Sequence, residues 1–278
     1  MKLAIIGGGA SGMVAAIEAS RNNKDIEIVI LEKLDRVGKK ILATGNGRCN
    51  FSNMNASVDN YYGKERNFVS YALNKFDVHN TINFFNNIGV FPKEEKNGKL
   101  YPFSEQATAV SDALRNEIAK LGIEIITGFC VSDIKRNKKF FKLEAKDGRV
   151  ILAEKIIIAG GGCASPALGS DGSCFKLLEK MGHRLTELKP ALVQFKTDPT
   201  EVKSLQGIKF TGNVTIIHKD KAIASDYGEV LFTDYGISGP PIFQLSAKTA
   251  FKKNVKVALD FPDSSHLYPP FHTSHFLC

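Results

Sequence analysis

The first apolar run, Lys2 to Ile6, is strand-like and ends at three glycines. Met13-Val14-Ala15-Ala16-Ile17-Glu18-Ala19 follows, a set of good helix formers with apolar positions on one helical face. Ile26 to Leu31 (IEIVIL) reads as a second strand. Further on, Phe129–Ile134, Phe140–Ala145 and Val150–Ala153 are three short strand candidates. They are separated by Arg136-Asn137-Lys138-Lys139 and Lys146-Asp147-Gly148, so the pattern predicts a β-meander joined by turn residues. The meander leads into Lys155 to Ile158, an apolar strand that ends in Ala159-Gly160-Gly161-Gly162. Together these elements predict an α/β protein.

Gly7-x-Gly9-x-x-Gly12 falls between the first strand and the helix, and Glu32 lies 20 positions after the last of these glycines. Gly7 permits a tight turn, Gly9 lets the backbone approach a pyrophosphate, and Gly12 lets the helix pack on the strand. The helix N-terminus adds free N–H groups and the positive end of its dipole. Glu32 is placed to accept hydrogen bonds from the ribose hydroxyls of an adenosine, and its charge argues against a 2′-phosphate there. Three glycines alone would make only a flexible turn. With strand, helix and acid at these spacings they predict a dinucleotide site.

The segment after the second strand separates FAD from NAD. Lys33, Arg36, Gly38, Lys39 and Lys40 precede Ile41-Leu42-Ala43-Thr44-Gly45-Asn46-Gly47-Arg48-Cys49-Asn50-Phe51-Ser52-Asn53. An NAD-binding unit usually continues directly into its next helix, through a connection of roughly 2–6 residues. A long excursion of glycines, amides and cations suits an extended diphosphate and ribityl chain. A meander before an apolar strand and an Ala-Gly-Gly turn is also a flavoprotein layout. Both features favour FAD.

Composition narrows the classes. The chain has 278 residues and a mass of 30.4 kDa, with 43% hydrophobic and 24% charged residues. That is close to an average soluble protein and excludes disordered, collagenous, coiled-coil and small disulfide-stapled classes. At roughly 150 residues per domain, two domains are expected. The longest uncharged run before the C-terminal tail, Ile156 to Ser170, carries four glycines and a proline, and is shorter than the ~20 apolar residues that span a bilayer. The apolar start, Leu3 to Ile6, is too short for an h-region, so no signal peptide is expected. Net charge is +8 with a pI near 9.1. The basic residues are spread singly and in pairs, without the clustering of nucleic-acid readers, so neither a nucleic-acid nor a membrane partner is expected. The five cysteines form no CxxC, which predicts reduced thiols in a cytoplasmic protein. Disulfide-reducing flavoenzymes need two nearby cysteines against the flavin. Cys49 stands alone, so counting excludes that mechanism and leaves it as a packed residue or a single thiol.

With these segments in view, the chain resembles the BaiN/RdsA-type, YhiN-like family of NAD(P)/FAD-dependent oxidoreductases, also described as aminoacetone-oxidase-like. The resemblance is carried by GGGASG at 7–12, GKKILATGNGRCNFSN at 38–53, AGGGCASPALGSDG at 159–172, LKPALV at 188–193 and GEVLFTDYGISGPPIFQLS at 228–246. It implies a glutathione-reductase-like FAD-binding Rossmann domain with a β-meander, plus an inserted mainly-β domain. The corresponding boundaries are 1–190 for the FAD-binding domain, 191–263 for part of the substrate domain and 264–278 for an aberrant tail.

The resemblance also implies roles for residues. Gly7, Gly9, Ser11 and Gly12 face the FAD pyrophosphate, Glu32 and Lys33 the adenosine ribose, and Lys39 or Lys40 the diphosphate. Thr44, Asn46, Gly47, Arg48, Cys49 and Asn50 run toward the flavin, where Arg48 either stabilises the reduced ring or forms a salt bridge. Val131 contacts adenine, and Ala159, Gly160 and Gly161 pass the diphosphate. Asp234 or Tyr235 is either a proton donor or part of a turn, and His183 sits just past a helix end.

The implied activity is hydride exchange between FAD and a small amine or unsaturated carbonyl, with oxygen or NAD(P) as the other redox partner and NAD(P)H as a possible electron donor. Two alternatives stay open: a truncated non-catalytic nucleotide-binding fragment, and a nucleic-acid-modifying flavoprotein. Family members are longer and return to the FAD domain, and no such return segment is expected here. The tail SSHLYPPFHTSHFLC lacks Lys, Arg, Asp and Glu, and the spacing of His266, His272 and His275 follows no helical ligand pattern, so an out-of-frame tail is expected rather than a metal site.

Overall fold

The computed structural model describes residues 1–63, 65–260 and the backbone of 275–277. The tail at 264–278 and its histidines otherwise lie outside the described residues. The chain divides into two compact units, Met1–Leu185 and Thr186–Cys278.

The first unit opens with β1 (Lys2–Ile6), α1 (Ala10–Asn22) and β2 (Glu27–Leu31), the order that the hydrophobic pattern predicts. Next come α2 (Lys39–Leu42), β3 (Ser52–Asn53), α3 (Ser70–Lys75), α4 (Val78–Asn87), β4 (Pro92–Glu94), β5 (Lys99–Pro102), α5 (Ala107–Lys120) and β6 (Glu124–Ile126). The meander is β7 (Val131–Arg136), β8 (Phe141–Ala145) and β9 (Val150–Ala153). It is followed by β10 (Lys155–Ile158) and α6 (Ser173–Lys180). The main sheet has the order β10-β1-β2-β6 and is parallel throughout.

A parallel sheet is covered on both faces, so its strands read as unbroken apolar runs rather than as alternation. The period of two still sorts the side chains. Leu3, Ile5, Ile28 and Ile30 pack with Met13 and Ile17 of α1 and with Leu114 and Ile118 of α5. Ala4, Ile6, Val29 and Leu31 face Phe129, the meander residues Leu143, Ala145 and Ala153, and Leu177 of α6. Burying each large aliphatic side chain stabilises the unit by about 1.5–3 kcal/mol.

The excursion after β2 is more ordered than its composition suggests. It forms α2, a tight 3-10 turn over Thr44–Gly47 and β3, which joins a small sheet of order β3-β5-β4. Gly45, Asn46, Gly47 and Cys49 all have positive φ, so the chain doubles back within a few residues.

The second unit contains β11 (Phe195–Lys196), α7 (Pro199–Val202), β12 (Lys209–His218), β13 (Lys221–Thr233), β14 (Gly236–Ser238), α8 (Pro240–Thr249), β15 (Val255–Asp260) and β16 (His275–Leu277). Its one sheet has the order β11-β14-β13-β12-β15-β16 and is antiparallel. Ile242 and Leu245 of α8 pack with Val214, Ile216, Val230, Phe232, Val257 and Leu259 of the strands. Pro240 and Pro241 open α8, where a missing N–H costs no helical bond. The architecture is therefore a Rossmann-like α/β unit with a meander, plus a mainly-β unit, as the sequence predicts.

Candidate functional site

A cavity of about 640 Å³ opens in the first unit at the carboxyl ends of β1 and β2, where ligands bind in open parallel sheets. Gly7 leaves β1 with φ +107°, and its N–H donates to the Leu31 carbonyl at 2.8 Å. A Cβ at this position would stand 2.5 Å from the Ala159 carbonyl oxygen, so only glycine lets β1 and the end of β10 approach this closely. At the N-cap of α1, Gly9 supplies no side-chain cap, and the first helical bond runs from Met13 N–H to the Gly9 carbonyl. The N–H groups of Ala10, Ser11 and Gly12 thus lie outside the helical ladder. A Cβ on Gly9 would meet nothing within 4 Å. Unlike Gly7, it borders open space, and Gly9, Ala10 and Ser11 line the cavity.

Glu32 lies at the end of β2 and is 8% exposed. One carboxylate oxygen accepts the Gly8 N–H at 2.7 Å and the other the Leu34 N–H at 2.8 Å. A carboxylate has about four lone-pair sites, so two remain for a ligand hydroxyl. Those two backbone bonds tie the glycine loop to the chain that leaves β2.

Lys33 and Lys40 reach from this chain to the segment that follows β10. The Lys33 ammonium pairs with Asp171 at 2.7 Å and lies 3.4 Å from the Ser173 hydroxyl. Lys40 donates to the Ala164 carbonyl at 2.8 Å and to the Ser170 hydroxyl at 3.2 Å. The Lys33 ammonium, aided by the Ser173 hydroxyl and N–H, holds the Asp171 carboxyl well below the usual carboxylate range. Lys39 pairs with Asp35.

Gly7, Gly9, Ser11, Glu32, Lys33, Lys40, Thr44, Cys49, Asn50, Val131, Ala159, Gly160 and Gly161 come together around this one cavity. Gly12, Asn46, Gly47 and Arg48 do not line it. Gly12 packs α1 onto the loop instead: a Cβ there would come within 1.9 Å of the Gly7 carbonyl oxygen. Asn46 and Gly47 form the tight turn. Arg48 points into a charge cluster, paired with Glu95 and, at 3.1 Å, with Glu105, while its guanidinium lies 4.2 Å from the centre of the Tyr101 ring. The hydrogen bond to Glu95 raises its pKa.

Burial pushes the Cys49 thiol up, partly offset by a hydrogen bond with Thr44, and burial likewise raises Cys174. Thiolate chemistry at these positions is suppressed.

The sequence reading left out several lining residues. Gly8 stands where a Cβ would come 2.3 Å from a Val37 methyl group. Leu168, Gly169, Ser170 and Ser173 form the wall that Lys33 and Lys40 touch, and Asp171-Gly172-Ser173 ahead of a helical pattern was the signal for it. Phe51, Phe85, Val110 and Leu114 supply an apolar wall, with the Phe51 and Phe85 rings 4.7 Å apart. No local spacing links these four.

Elsewhere, His183 follows α6, and its N–H donates to the Leu178 carbonyl. In the second unit the Tyr235 hydroxyl donates to Gln194, next to the turn between β13 and β14. Among the described residues no helix is long and apolar enough to cross a membrane, and no cluster of three or more metal-ligating side chains occurs.

Comparison with known proteins places this geometry. Residues 1–252 match the model of the HI0933-like protein Rossmann domain. The 3-dehydro-bile acid delta(4,6)-reductase of Clostridium scindens is 41% identical over 264 residues, covering 94% of this chain and 64% of the relative. The ribosomal RNA dihydrouridine synthase of Haemophilus influenzae is 28% identical, covering 87% of this chain and 60% of the relative. The chain thus spans about three fifths of the length of these curated relatives. Among solved structures, the 3-ketosteroid-delta4-(5alpha)-dehydrogenase of Rhodococcus jostii RHA1 is similar in fold, with a TM-score of 0.53 at 13% identity over 93% of this chain and 66% of that one. The motif-based resemblance therefore holds, and the chain belongs to the HI0933-like Rossmann family.

Proposed function

We propose that this chain carries the FAD-holding part of an oxidoreductase that exchanges hydride with a carbon–carbon double bond conjugated to a carbonyl group. The observation that carries this reading is the cavity itself. It begins at an uncapped helix N-terminus beside an open Gly9, passes Glu32 and includes the apolar wall of Phe51, Phe85, Val110 and Leu114. Those features fit an extended dinucleotide with a hydrophobic ring system: free N–H groups for a diphosphate, spare carboxylate lone pairs for ribose hydroxyls, and apolar side chains for a flavin. When bound, FAD supplies the two-electron chemistry. The protein's residues bind the diphosphate, orient the adenosine through Glu32 and exclude water along the apolar wall.

The names of the relatives favour an unsaturated carbonyl over an amine. A delta(4,6)-reductase of a 3-dehydro-bile acid and a dihydrouridine synthase both describe saturation of a double bond conjugated to a carbonyl. This support concerns proteins longer than the present chain, so the substrate belongs to the proposal, and NAD(P)H is its proposed electron donor.

Purified protein tests the reading. We expect flavin absorption bands, release of FAD on heating, and NAD(P)H-dependent bleaching that is reversed by a 3-oxo-4-ene steroid. A colourless protein that FAD does not reconstitute overturns the cofactor assignment. Flavin that is reoxidised by a uridine-containing RNA and not by the enone moves the substrate to nucleic acid.

A further inference from the structure

The second unit holds a concave site of its own. Strands β12 and β13 are joined by the two-residue turn Lys219–Asp220, and both residues have positive φ, 52° and 58°. Turns of this kind normally take asparagine, aspartate or glycine, so a lysine at the first position is strained, and such strain collects at functional sites. Strand β15 starts just after Asn254, which is also left-handed at φ 55°. His218 and Val255 are register partners, so the two turns stand side by side at one end of the sheet. Together with Phe251, they border a half-open pocket of about 490 Å³.

The charge of this pocket is one-sided. Lys219, Lys252, Lys253 and Lys256 line it with a single carboxylate, Asp220, which pairs with Lys256 at 3.4 Å. These are four of the ten lysines between residues 186 and 260. Among the described residues no carboxylate pairs with Lys219, Lys252 or Lys253. The dipole of α8 accounts for Lys248 in its last turn but not for Lys252 and Lys253 beyond it. His218 also lines the pocket.

We propose that this pocket binds a small phosphate ester of nucleotide size, with its phosphate groups on Lys219, Lys252 and Lys253. Three ammonium groups without a carboxylate partner along one pocket select a multiply charged anion over a single carboxylate. A half-open hollow of about 490 Å³ between two turns lies within the usual ~300–1,000 Å³ range of small-ligand sites, and its one aromatic residue, Phe251, provides no row of stacking platforms of the kind that holds single-stranded nucleic acid.

Equilibrium dialysis of the full chain against labelled ADP, with excess FAD present, tests this. In K219A/K252A/K253A we expect affinity for ADP to fall by at least about tenfold, while Gly9→Asp, which changes the first cavity, leaves that component intact. Inorganic pyrophosphate competing with ADP supports phosphate recognition. Should the triple variant lose its circular-dichroism signature, the single variants K219A, K252A and K253A are each expected to weaken binding. ADP binding indifferent to the lysines, or removed only by Gly9→Asp, overturns the site. So does a twelve-nucleotide RNA that binds about tenfold or more tightly than ADP, because the face would then be a nucleic-acid surface.

Discussion

Gly12 and Gly9 are three residues apart on the same turn, yet the structure assigns them opposite liabilities. In Gly12→Ala the added Cβ would stand 1.9 Å from the Gly7 carbonyl oxygen and 3.1 Å from its carbon. Optimal non-bonded separations are about 3.5–4.0 Å. The obstacle is backbone, anchored by the bond from Gly7 N–H to Leu31, so no rotamer change relieves it and α1 must move off β1. Overpacking of this severity belongs at the upper end of the ~1–3 kcal/mol range. Alanine's better helix propensity returns about 0.8–1 kcal/mol. The net loss is about 2 kcal/mol, a fall in Tm of about 4–8 °C for a unit of this size.

Gly9→Ser behaves differently. Gly9 has extended backbone, φ −76° and ψ −175°, and open space around its Cβ position. A serine hydroxyl there caps the helix, worth a few tenths of a kcal/mol, and leaves Tm within about 1 °C. It also occupies an N–H group that the diphosphate needs. Losing a charged hydrogen bond costs about 1.5–3 kcal/mol, so FAD affinity falls by about tenfold or more. Thermal unfolding without added flavin, followed by flavin titration of each variant, separates the two effects. An unchanged Tm in Gly12→Ala, or a loss of several degrees in Gly9→Ser, refutes the geometry.

Three further outcomes follow from the same cavity. Glu32→Gln places an amide NH₂ against one of two backbone N–H donors now accepted by the carboxylate; urea unfolding is expected to show a loss of about 1–3 kcal/mol, and an unaltered midpoint would remove Glu32 from its bridging role. The Asp171 carboxyl has a folded-state pKa below its unfolded one, so its contribution is present above the ordinary carboxylate pKa and is lost as pH falls through the lower folded value. Asp171→Asn should therefore flatten the acid limb of stability against pH, and identical acid limbs count against the Lys33–Asp171 strap. Among the described thiols, exposed Cys163 is expected to alkylate first, with buried Cys49 and Cys174 protected until unfolding; peptide mass spectrometry after a short iodoacetamide pulse reads the order, and early labelling of Cys49 contradicts its packing.

The local features of the site were legible because each depends on neighbours in sequence. Gly7, Gly9 and Gly12 lie on one strand–turn–helix, and their roles follow from backbone geometry within six residues. Glu32 ends the next strand. Arg48 shows the limit. Its motif placed it beside glycines and amides, but its partners Glu95, Tyr101 and Glu105 come from the turn after β4, from β5 and from the segment after β5, and no spacing within 38–53 announces an ion pair with residues about fifty positions away. Likewise, the lysines around His218 are spread singly and in a pair from 219 to 256, and read as scattered charge until an antiparallel register sets two turns side by side.

The sequence by itself determined β1, β2, the meander and β10, the glycine turn and the acid at the end of β2, because periodicity and backbone sterics act over a few residues. Only the tertiary structure decided which side chains share a wall. Phe51, Phe85, Val110 and Leu114 meet because packing α5 against α1 and folding β3 onto β5 bury them in one cluster. Lys33 and Lys40 meet Asp171 and Ser170 because β10 pairs with β1 and returns its loop to the cavity. Long-range pairing brought those residues together, and it leaves no trace in the spacing along the chain.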